Sequence, residues 1–254
     1  YFTGSVGFLF ADTLSVSVRV PDSIYLLLSL WFFLDALAYL LAWVAFPVPP
    51  RTRTFDAWFW TEAINVFASA LAAAAAGMFF FPVQESEGML AAQTYVLLQS
   101  AFYFCSTTLF LCNAVMSASL YYNARVEAHA SDDLPEEFHS EKAVHGYRNR
   151  LVPVWRDVSF WAEVLNVVPG VGYWATSVLQ LVSSLEIART ADTASMLYRA
   201  SFAVLTLVRS VNLGFDVLYV IDSLCYAVVW AQADMESETL FEQEDALLRD
   251  VPMT

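Results

Sequence analysis

Positive charge is what this chain has least of. Lys142 is its single lysine, and with eleven arginines it faces 26 acidic residues, for a net charge of −14. Nucleic acid and anionic lipid surfaces are both held by surplus cation, so neither is an expected partner. Because Lys142 falls in a polar loop, a retinal-type Schiff base inside a helix bundle is also excluded. Cysteine is scarce too: Cys105, Cys112 and Cys225 all sit in apolar segments and offer neither a disulfide framework nor a metal knuckle. They read as small core residues. Residues 1–20 contain no basic stretch leading into an apolar run, so no secretory leader is recognised there.

Catalytic patterns are missing as well. "GVGYW" at 170–174 lacks the strand-to-helix setting of a phosphate loop. No Ser-His-Asp or Cys-His set can be assembled on one side of a membrane. His129, His139 and His145 share an acidic loop, yet their spacings match no metal-ligand pattern, and a solvated helix beginning after Pro135 is the plainer reading. The expectation is a protein that is not an enzyme, with no catalytic residues and no metal.

Apolar residues are abundant. The chain is 58% hydrophobic with a mean hydropathy of +0.53, more than a soluble domain of 254 residues has the interior to hide. Five apolar segments, at 23–47, 55–81, 89–124, 154–185 and 193–232, each exceed the roughly 20 residues a helix needs to cross a bilayer. The predicted fold is therefore all-α and integral to a membrane, with five transmembrane helices, because an apolar run in lipid must satisfy its own backbone. A break near Gly214 would make six. Segments 89–124 and 193–232 would reach about 54 and 60 Å, so both are expected to project beyond the membrane. Residues 1–22 read as an extramembrane N-terminal segment, 23–232 as the transmembrane domain with an inner loop at 125–153, and 233–254 as an acidic tail.

Orientation follows from the cations. Arg51, Arg53, Arg125, Lys142, Arg148, Arg150 and Arg156 share one side of a five-span chain, which places that side and the tail toward the cytoplasm and the N-terminus outside. Trp43, Trp58, Trp60, Trp155, Trp161 and Trp230 mark the same inner boundary. The lack of basic character points to a plastid or plasma membrane over the mitochondrial inner membrane.

One motif occurs twice. "DAWFWTEAINV" at 56–66 and "DVSFWAEVLNV" at 157–167 share six of eleven positions, and "FFLDALAYLLAW" at 32–43 matches "YVIDSLCYAVVW" at 219–230 in its Asp, Leu, Tyr and Trp. With a weaker echo between 119–124 and 223–228, the pattern predicts two parallel two-helix repeats, 55–124 and 154–232. The repeats carry acid into lipid. A carboxylate near the bilayer centre costs about 3 kcal/mol on insertion scales, so Asp35, Glu62, Glu163 and Asp222 should face protein or water. Glu62 with Asn65, and Glu163 with Asn166, share a helix face at spacing three. Arg209 and Asp216, two turns apart, suit an internal neutralising pair.

These residues are either structural hydrogen-bonding groups or the wall of an ion path. The tract "ALAAAAAG" at 70–77 permits close helix packing or contact with a flat ligand. The leading expectation is an accessory or scaffold subunit of a larger membrane complex, its partners membrane lipids and other membrane subunits. The alternatives are a cation channel or transporter with a carboxylate layer, and a pigment- or lipid-binding subunit. No cofactor is required, although bound lipid or pigment is compatible.

Overall fold

The computed structural model describes residues 2–17, 22–45, 57–78, 88–132 and 158–249. Among the described residues the chain is entirely helical: α1 (Phe2–Ser17), α2 (Asp22–Ala45), α3 (Ala57–Gly77), α4 (Met89–Asp132), α5 (Val158–Thr190) and α6 (Ala194–Arg249). Segments within α2, α3, α4 and α6 are long and apolar enough to cross a membrane. Helix α5 falls short of that standard because Pro169, two glycines and a run of Ser, Thr and Gln dilute its apolar content. At 44 and 56 residues, α4 and α6 are about 66 and 84 Å long. Helix α6 runs unbroken through Gly214, which removes the break considered above, and it continues through residue 249 into the segment read as a tail.

Helix α1 is a correction to the sequence reading. Residues 2–17 do not precede the bundle; they form a sixth helix within it, packed on α6 and α2. Ser5 meets Ser223 at 3.2 Å, and Tyr25 donates to Asp12 at 2.5 Å. Those contacts set α1 antiparallel to both neighbours and put Phe2 at the end of the bundle where α2 finishes. With α1 in place, each helix packs on its neighbours in sequence and α1 closes on α6, so the six form a ring, with α4 also touching α6 across its interior.

The ring is inside-out by the standards of a soluble protein. Its buried residues are mostly small or polar: Ser69, Ser100, Ser106 and Ser177 are among the largest fully buried side chains. Its exterior carries Leu27, Trp31, Leu34, Phe67 and Leu207, all more than half exposed. Water would penalise such a surface, whereas lipid favours it. Hydroxyls tie the helices together, as in the Ser100–Ser184 contact at 2.8 Å, the Thr107–Ser177 contact at 2.7 Å and the Ser106 donation to the Ala68 carbonyl at 2.8 Å. The alanine tract serves close packing here, with Ala75 and Ala76 buried and Gln99 of α4 donating to the Ala75 carbonyl at 3.4 Å. At the far end α4, α5 and α6 cluster Ala92, Val96, Ala188 and Leu197 as an apolar core of their own. Thr193 caps α6 there by accepting from the Met196 amide at 3.3 Å.

The α1–α2 and α5–α6 pairs pack in the same register. A Cβ on Gly7 would lie 2.4 Å from Leu28, and one on Gly172 would lie 2.3 Å from Phe215. Phe8 packs tilted against Phe32 at 5.7 Å between ring centroids, and Tyr173 packs tilted against Tyr219 at 5.5 Å. Adding 165 to each α1 number and 187 to each α2 number converts the first contact of each kind into the second. Both glycines therefore admit a large side chain from the facing helix. Gly172→Ala is expected to destabilise the protein by about 1–3 kcal/mol through overpacking. Unfolding in mixed micelles checks this, and Phe215→Leu in the same chain, which shortens the clashing ring but keeps an apolar side chain, should restore part of the loss.

A buried polar row as candidate site

Helix α6 carries one polar stripe, buried at Asn212, Asp216 and Ser223 and open at its last member, Tyr226, which is 36% exposed. Arg209, Asn212, Asp216, Tyr219, Ser223 and Tyr226 follow one another at steps of three and four, which keeps them on one face. Each of them touches another helix. The Arg209 guanidinium lies over the Tyr25 ring of α2, 3.9 Å from its centroid. Asn212 accepts from Thr176 of α5 at 2.8 Å and donates to the Tyr103 hydroxyl of α4 at 3.1 Å. Tyr173 of α5 donates to Asp216 Oδ1.

Asp12 of α1 completes the central group. Its carboxyl accepts from Tyr25, lies within hydrogen-bonding reach of Asp216, and is close enough to Arg209 to feel that charge. Both acids are deeply buried, Asp12 at 5% and Asp216 at 2% exposure. Two carboxyls and one guanidinium therefore share the middle of the ring, with three tyrosines around them. Arg209 and Asp216, expected as a pair, both stand beside Asp12, which the sequence reading did not single out.

Nearer the Trp60 and Trp161 end, the four other predicted acids stand in two neighbourhoods, each holding two carboxyls close enough to feel the other's charge. Asp35 of α2 lies near Glu62 of α3, with Tyr39 beside both. Glu163 of α5 lies near Asp222 of α6; Tyr226 donates to Glu163 Oε1 at 3.0 Å, and Asn166 is within reach of the same hydroxyl. Asn65 is buried at 3% exposure on the inward face of α3. The repeated motif also folds alike in both helices: Phe59–Trp60 and Phe160–Trp161 each pack edge-on at 5.5 Å, and both tryptophans face outward. Asp222 Oδ1 and Glu163 Oε2 are buried without a hydrogen-bond partner.

Tyr25, Tyr103, Tyr173, Thr176 and Asn212 were not singled out from sequence, although the three-and-four spacing on α6 was a usable signal. Among the described residues no group of three or more His, Cys, Asp or Glu is placed to hold a metal. His139, His145, Lys142, Asp56, Trp155 and Asp157 lie outside the described residues, as do the side chains of Trp43, Trp58, His129 and Trp230. No known protein family, curated protein or solved structure matches the chain.

Proposed function

We propose that the protein carries a cation across its membrane through the interior of the helix ring. The observation that supports this reading is the length of the polar row. From Arg209 to Ser223 it covers 14 residues, about 21 Å of helix, against roughly 30 Å of hydrocarbon. Ionisable groups at membrane depth are expensive, and they are retained chiefly where ions or protons pass. A helix that needed only to pack could do so with uncharged groups, as α4 does against α5 through Gln93, Ser100 and Thr107.

In this reading α5 crosses as well, all six helices forming the wall, and the α1–α2 and α5–α6 pairs are copies of one hairpin that the sequence repeat at 55–124 and 154–232 extends to α3–α4. The Glu163–Asp222 end is read as facing the cytoplasm-equivalent side, a reading supported by the arginines of the adjoining loops. The accessory-subunit reading rests on the repeated helix pair, the protruding helix ends and the polar tail, and none of these calls for ionisable groups inside the ring. Pure protein in liposomes, loaded with a pH-sensitive or an alkali-sensitive dye, should dissipate an imposed cation gradient faster than empty liposomes. Equal rates for every cation tried would end the proposal.

A further inference from the structure

Helix α1 brings a second carboxyl level with Asp216. Ser5 and Ser223 touch at 3.2 Å where α1 runs antiparallel along α6. Seven residues, two turns, along each helix from that contact stand Asp12 on α1 and Asp216 on α6, so both lie on the touching faces and at one level. Their carboxyls are within hydrogen-bonding reach of each other, and both residues are deeply buried. Each neighbouring helix adds a group that faces them: Tyr25 from α2, Tyr103 from α4, Tyr173 from α5, and Arg209 and Tyr219 from α6.

Two ionised carboxyls beside one guanidinium leave a negative charge in excess, which burial penalises. Ionised carboxyls can also only accept hydrogen bonds, so a contact between two of them lacks a hydrogen. Tyr25 donates to Asp12 Oδ1 and Tyr173 to Asp216 Oδ1, but Asp216 Oδ2 is buried and meets no hydrogen-bond partner among the described residues. One proton on either acid meets both needs. It cancels the excess charge and supplies an O–H···O bond between the carboxyls. A hard metal ion asks for about six oxygens and would have to gather them beside the like charge of Arg209.

We infer that the cation carried through the ring is a proton, held between Asp12 and Asp216 at the middle of the polar row. As the proton passes from one carboxyl to the other, one acid is always ionised, and Arg209 balances that charge. That the proton is cargo rests on the cation-transfer reading; that the pair binds it does not, and two measurements keep the claims apart.

The first is flux through the full chain in liposomes. A pH gradient should decay at one rate in choline, sodium or potassium thiocyanate, whose permeant anion balances charge. A sodium or potassium gradient at equal pH should last as long as it does in empty liposomes. Alkali-ion flux would overturn the inference and leave cation transfer standing. No flux of any cation would remove the transfer reading, and with it the proton's role as cargo. The second is the infrared C=O band of protonated carboxyls in the same liposomes at neutral pH. A proton held between two acids needs both, so Asp12→Asn and Asp216→Asn should each abolish the same component, and the double variant should remove no more. Asp216→Glu, which keeps two carboxyls, should retain the component at a shifted frequency and controls for folding. Single variants that remove nothing, or that each remove a separate part, would show that the pair shares no proton, whatever the flux.

Discussion

Replacing Arg209 with Met should lower the free energy of unfolding in mixed micelles by about 3–5 kcal/mol, the cost of removing one partner from a buried charged group. The guanidinium is the cation of the central triad. It lies flat over Tyr25, and its charge reaches Asp12, whose carboxyl meets Asp216. Without it, two carboxyls at 5% and 2% exposure face each other beside the tyrosine hydroxyls that donate to them. Two comparisons locate the cause. Arg209→Lys keeps the charge but loses planar stacking on the ring, so it should cost only about 1 kcal/mol. Asp12→Asn added to Arg209→Met removes one anion with the cation and should recover at least half of the loss. An Arg209→Met protein within 1 kcal/mol of the parent would show that the triad is not held together by charge.

Much of this arrangement was legible in the sequence, and the limits of that legibility have physical causes. Helices α2 and α3 stand out because long apolar runs end at prolines, and their observed bounds, 22–45 and 57–77, fall within a few residues of the expected 23–47 and 55–81. The four acids nearer the Trp60 and Trp161 end were legible for the same reason: a carboxylate inside an apolar run contradicts its surroundings. Helix α1 was not. Its 16 residues are too few for a simple span, and Gly4, Gly7 and Asp12 interrupt its apolar character. Those same residues are why it belongs in the ring, since the glycines admit Phe32 and Leu28, and Asp12 meets the polar row. The tyrosines of the interior were hidden by the habit of such chains to place Tyr at the lipid headgroups. Depth within the bundle, the property that separates Tyr103 and Tyr173 from a headgroup tyrosine, depends on how the helices slide past one another. Helix register of that kind is a tertiary quantity.

The second large effect concerns Asp216. Asp216→Asn should reduce cation flux in liposomes on the order of a hundredfold, the lower end of what a positioned proton-transfer group contributes, while unfolding stays close to the parent's. Its carboxyl stands seven residues from Arg209 and ten from Tyr226, so it occupies the middle of the row, where no detour through lipid is available. Asparagine keeps the size of the side chain, and its carbonyl oxygen still accepts the Tyr173 hydroxyl, so the packing of α5 on α6 is preserved. What it removes is a group able to release and rebind a cation beside Asp12. Asp12→Asn should therefore reproduce the loss from the other side of the contact. Tyr173→Phe, which deletes a donor but leaves both acids, should slow flux by a smaller factor. If Asp216→Asn conducts as the parent does, ions pass elsewhere, and the row is then a set of hydrogen bonds whose work is to fix the register of six helices.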